Sequence, residues 1–106
     1  MSIATLKSLL LAIAMVETGN DPTAIGRAQE TGAHQMTPAA IREHQTPEAR
    51  ARYIERELRR HGLKADPFTV ALAWNAGLGA VSRGEIRPVS WVYAVRVENI
   101  MEASER

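Results

Sequence analysis

Glu17 ends the most apolar stretch of the chain, four residues after Ile13 in a series of Leu6, Leu9, Leu10, Ile13 and Val16. That three-four spacing predicts an amphipathic helix, so Glu17 lies in its last turn and on or beside its buried stripe. Two effects there disfavour the anion: burial removes its hydration, and the negative end of the helix dipole opposes it. An ordinary Glu titrates near about 4.3. One raised above that value keeps its proton closer to neutral pH and can protonate a poor leaving group. Alternatives are few, because of twelve acidic residues only Asp21 and Asp66 are aspartates. Paired-aspartate chemistry is therefore nearly excluded, and the absence of cysteine removes thiolates from both nucleophile and metal roles. Asp21 and Glu30, in the segment after Glu17, are the candidates for a second carboxylate.

The elements that position these residues are legible from their ends. Gly19 closes the first helix. From Asn20 to Met36 the chain is rich in Gly, Thr, Asp and Pro without periodicity, which reads as a long ordered loop. Three helices then start by one device, a capping side chain followed by proline: Thr37-Pro38, Thr46-Pro47 and Asp66-Pro67. The helix from Pro47 runs to about His61, with Ala51, Ile54, Leu58 and His61 as its inward stripe and its arginines elsewhere. Pro67 to Ala76 is apolar nearly all round, the pattern of a central buried helix. Gly77 ends it, a short Gly79 to Gly84 segment follows, and a last helix from about Ser90 carries Tyr93, Val97 and Ile100 on one face. With no strand-like alternation and no repeat, residues 1–106 read as one all-α domain.

Four pieces in order then stand out: Ala12-Ile13-Ala14-Met15-Val16-Glu17-Thr18-Gly19, Gly32-Ala33-His34-Gln35-Met36-Thr37-Pro38, Ala71-Leu72-Ala73-Trp74-Asn75-Ala76-Gly77 and Tyr93-Ala94-Val95-Arg96-Val97. Together they resemble the soluble lytic transglycosylase domain, a relative of goose-type lysozyme, from about Ala12 to Val97. Pro47-Glu48-Ala49-Arg50 to Tyr53 also fits that family's connecting segment. The resemblance implies a small lysozyme-like helical domain that cleaves the MurNAc-β-1,4-GlcNAc bond of peptidoglycan. It gives Glu17 the role of catalytic acid/base and sets Thr18, His34, Gln35, Met36, Trp74, Asn75 and Tyr93 along the substrate. Thr18 stands where the family usually has serine, Trp74 where it has tyrosine, and His34 where it has an apolar or aromatic residue. No cofactor and no metal are expected, since His34 has no spaced histidine or cysteine beside it. A single carboxyl suits a transglycosylase that leaves 1,6-anhydromuramoyl ends; a goose-type hydrolase, or an inactive peptidoglycan-binding or structural module, is the alternative.

The remaining features limit other classes. A formal charge of +1 gives no global excess of the kind that phosphate binding requires. The stretch Arg42 to Lys64 is locally basic, but its charges read as a solvated face with Glu48/Arg52 and Glu55/Arg59 pairs, so nucleic acid is not an expected partner. The apolar run Leu9 to Val16 is far short of the roughly 20 residues that span a bilayer. It leads directly into a helix ending rather than a cleavage region, so neither membrane insertion nor a dependable signal peptide is expected. Action on the cell wall, outside the cytoplasmic membrane, would then depend on a secretion apparatus, a virion or host lysis.

Overall fold

Capping chemistry sets where the helices begin. In the computed structural model, which describes residues 1–105, Ser2 Oγ accepts from Thr5 N at 3.0 Å and opens α1 (Ile3–Thr18). Thr37, Thr46 and Asp66 each accept from the backbone N–H three residues on, and each precedes a proline. They open α2 (Pro38–His44), α3 (Pro47–Arg60) and α4 (Pro67–Ala76) where the sequence predicts. Two starts differ from expectation. The segment after Gly77 is itself a helix, α5 (Leu78–Arg83), and the last helix, α6 (Pro88–Ser104), begins at Pro88 rather than near Ser90. Arg87 is extended and offers no side-chain cap, so proline alone fixes that start. Among the described residues there is no strand, only isolated bridges joining Ile25 to Thr31 and Thr31 to Met36 inside the long loop. The domain is all-α.

The core forms around α4, whose residues Val70 to Trp74 are buried in succession. Such a run has no polar face, so α4 must be covered on every side; α6, α3, α5 and α1 all pack on it. Leu9, Ile13, Leu58, Val70 and Val97 are the largest side chains sealed from solvent. Each contributes about 1.5–3 kcal/mol by leaving water. The radius of gyration of 12.9 Å matches the roughly 13 Å of a close-packed chain of this length. No helix among the described residues is long and apolar enough to cross a membrane.

Helix α3 departs from its expected pattern in three places. His61 is exposed rather than inward, because α3 ends at Arg60 and the chain turns through Gly62 at φ +70°. Leu63 then donates to Leu58 O at 2.8 Å and packs partly buried on the core, taking the place that periodicity assigns to His61. Glu55 is buried and binds Arg52 at 3.0 Å, Arg59 at 3.4 Å and the Met1 amino group. Arg52 is thereby drawn away from Glu48. Thirdly, Arg50 lies four residues before Ile54 and is half-buried on the inward side, where no arginine is expected.

Candidate active site

The end of α1 holds Glu17 in a fixed place. Ile13 and Ala14 are buried one turn earlier, and two successive left-handed residues, Gly19 at φ +68° and Asn20 at φ +67°, reverse the chain just after it. Asn20 N donates to Ala14 O at 3.0 Å. Thr18 fastens this helix end to the loop: its hydroxyl reaches Ala14 O at 3.3 Å and Ala33 O at 2.9 Å, and accepts from Asp21 N at 2.9 Å. A hydroxyl has one proton to donate, so its donor is occupied within the protein. Thr18 is therefore a joint between α1 and the loop.

Glu17 is half-buried, and burial raises its proton affinity above the ordinary carboxyl value. The Arg50 guanidinium opposes this more weakly, and the negative charge of Glu30 adds to it. Side chains of α1, the loop, α3 and α6 thus lie within reach of one another's charges, because Tyr93 from α6 also feels the charges of Glu17 and Arg50. The Tyr93 phenol is buried and its hydroxyl has no hydrogen-bond partner in the protein. Burial, then the Glu17 charge, push its pKa far up, with Arg50 opposing, so it stays a neutral donor.

Of the two candidate second carboxylates, the loop brings Glu30 to the acid and turns Asp21 away. Asp21 is exposed, and its Oδ1 accepts from Thr23 N at 2.9 Å and Thr23 Oγ1 at 2.7 Å. Those two bonds hold its pKa below the usual aspartate value and mark it as a turn-former. Glu30 Oε1 accepts from Ala28 N at 2.6 Å. The chain passes close beneath it at Gly26, where an added β-carbon would lie 2.9 Å from the Glu30 carboxyl and 2.7 Å from Gln35 Oε1. Gln35 sits at φ +51° and its amide donates to Ala24 O at 3.2 Å and Gly32 O at 2.8 Å. Both amide protons therefore shape the loop, and its Oε1 shares the space above Gly26 with Glu30.

Trp74 is the platform on which Arg50 lies. It is buried, with the Arg50 guanidinium 4.1 Å from its ring centroid and Arg50 Nη2 donating to its carbonyl at 3.2 Å. His34 approaches it at 6.5 Å, ring centre to ring centre, and donates from Nε2 to Leu10 O at 2.9 Å. A carbonyl can only accept, so Nε2 carries the proton, and burial lowers the pKa of the ring. His34 and the buried Met36 pin the loop onto the core. Asn75 is exposed and accepts from Ser90 Oγ at 2.8 Å, joining the ends of α4 and α6.

Of the eight residues singled out in sequence, Glu17, Tyr93 and Trp74 are thus linked through Arg50, whereas Thr18, His34, Gln35 and Met36 build the loop and Asn75 ties two helices. Arg50 was not assigned from sequence, and of the two carboxylates offered there, Asp21 and Glu30, it is Glu30 whose charge acts on Glu17. The signal for Arg50 was present, since Arg50, Ile54 and Leu58 share four-residue spacing. Among the described residues no three His, Asp or Glu side chains converge as a metal would require. Comparison with family models, curated proteins and solved structures returns no match for the chain.

Proposed function

We propose that the chain is a peptidoglycan lytic transglycosylase with Glu17 as its single acid/base. The observation that carries this reading is a half-buried glutamic acid with raised proton affinity at the end of α1, whose charge also acts on a buried and unpartnered phenol. Glu17 in its acid form protonates the oxygen of the MurNAc-β-1,4-GlcNAc bond, and the C–O bond breaks to release the GlcNAc-side hydroxyl. The substrate's own N-acetyl group stabilises the cationic C1. Glu17, now a carboxylate, takes the proton of the muramoyl 6-hydroxyl as that oxygen bonds to C1. The acid is regenerated, no water is consumed, and a 1,6-anhydro end results. Arg50 steadies the carboxylate between the two steps, and burial favours the acid before the first.

One observation favours a second reading. Glu30 is near enough for its charge to raise Glu17, and two carboxyls about 5–9.5 Å apart are what glycoside hydrolysis through a nucleophile or an activated water uses. Mass spectrometry of soluble products from peptidoglycan, with the protein and its Glu17→Gln variant, separates the two. Anhydro-ended muropeptides from the wild type alone are expected, with the variant slowed at least about 100-fold. Reducing ends would replace the transglycosylase by a hydrolase using Glu30. No product from either protein would leave a peptidoglycan-binding module.

A further inference from the structure

A pocket of about 320 Å³ opens between α2, the first half of α3, the end of α4 and the start of α5. Its lining is mixed in character: Ala73 and Leu78 supply an apolar floor, Tyr53 an aromatic wall, and Arg50 the one positive charge that does not depend on histidine protonation. Arg50 is therefore shared, since its charge also acts on Glu17 and Tyr93. Arg50 is the residue common to the pocket lining and to the charges that act on Glu17.

The guanidinium is incompletely used. It has five N–H donors, and the protein bond it makes is Nη2 to the Trp74 carbonyl. No carboxylate pairs with it among the described residues, although Arg52, Arg59, Arg60 and Arg83 all find one. Stacking on Trp74 holds its plane in place. A half-buried, oriented and unpaired guanidinium on a residue that lines a cavity is a fork available to a planar anion, and a carboxylate matches it with two parallel hydrogen bonds. Glu43, on the rim, is turned to His44 at 3.8 Å and its side chain is 63% exposed, so it leaves the fork open while adding a repulsive charge at the entrance.

We infer that this pocket is a subsite that binds a carboxylate carried by the sugar chain, with Arg50 as the residue that reads it. The inference rests on the proposed glycan substrate and adds to it a preference for acidic over neutral chains. Because Arg50 also acts on Glu17, reaction rates would mix two effects; equilibrium binding separates them.

Three tetrasaccharides of alternating N-acetylglucosamine and N-acetylmuramic acid serve as probes: one with free lactyl carboxylates, one with these converted to methylamides, and one carrying alanyl-glutamyl peptides on them. Binding is followed in the Glu17→Gln background, which leaves the probes uncleaved, by NMR through the Arg50 side-chain N–H and Trp74 indole resonances, with thermal melts verifying the fold of each variant. A free-carboxylate or peptide-bearing probe should bind about tenfold more tightly than the methylamide. Which of the two does so identifies the lactyl or the peptide carboxylate as the group read. Arg50→Gln should abolish the preference, Arg50→Lys should restore part of it, and Glu43→Gln, at an exposed position, should tighten the favoured probe. Equal binding of all three probes by the protein with Arg50 intact, or a preference that survives in a folded Arg50→Gln, overturns the subsite. If peptidoglycan is still cleaved in that case, the proposed activity stands and the subsite alone falls; binding and cleavage both absent would remove the two together.

Discussion

Burial, Arg50 and Glu30 act with unequal weight on the proton of Glu17. Burial dominates, so the folded protein holds that proton more tightly than the unfolded chain does, and ionising Glu17 opposes folding. Below the unfolded carboxyl's ordinary pKa, both states are protonated and the residue is neutral in its effect. As pH rises from there through the raised folded value, the unfolded state loses its proton first and stability is lost. Glu17→Gln removes that cost, so the variant should be more stable than the wild type to urea at pH 7 and nearly equal to it at pH 3. A variant weaker at pH 7 would mean that Glu17 is held by its attraction to Arg50 rather than strained by burial. The acid itself was readable in sequence because an apolar series of fixed spacing leads up to it. Arg50 was less so, since an arginine among seven basic residues between Arg42 and Lys64 looks solvated until its register with Ile54 and Leu58 is weighed.

Helix ends show the same division between chemistry that is local and chemistry that is not. The starts of α2, α3 and α4 follow from an oxygen-bearing cap and the proline next to it, both contiguous in sequence. Six residues of α5 are too few to display a period, and α6 starts without a capping side chain, so neither boundary was legible. The loop was readable as ordered but not in its path: Gln29 and Gln35 both adopt positive φ, and glutamine has no local preference for that region. Gly77 is the exception where conformation can be tied to residue type. At φ +93° and ψ +147° it ends α4 and begins α5 in a region close to exclusive to glycine. An added β-carbon would meet no atom within 4 Å, so Gly77→Ala carries a backbone cost without a clash. The expected loss is about 1–3 kcal/mol, read as a lower urea midpoint with an unchanged m-value; an unchanged midpoint would show that the α4–α5 joint relaxes freely.

Across the molecule, the two half-buried or buried glutamates answer to pH with opposite sign. Burial of Glu55 by itself would raise its pKa, but hydrogen bonds from the Met1 amino group and Arg52, with the charges of that amino group and Arg59, outweigh burial and hold it below the ordinary value. Its contribution to stability is therefore complete above the unfolded carboxyl pKa and is lost as pH falls through the lower folded one. Since Met1 precedes α1 and Glu55 lies in α3, this network adds a charged tie between two helices that also pack directly on each other and on α4. Glu55→Gln keeps the shape and removes the charge that faces Arg52, Arg59 and the amino group. Leaving partly buried donors without their counter-charge costs about 1–3 kcal/mol, so the variant should unfold at lower urea than the wild type at pH 7. At pH 2, where the wild-type carboxyl approaches protonation in both states, the gap should narrow. The two substitutions together then separate two kinds of buried carboxyl: Glu17→Gln raises stability at neutral pH by relieving an acid that burial disfavours as an anion, whereas Glu55→Gln lowers it by loosening the tie between the start of α1 and α3. A Glu55→Gln deficit that stays constant from pH 7 to pH 2 would place its effect in packing rather than charge, and the ion network would then have no part in holding the helices together.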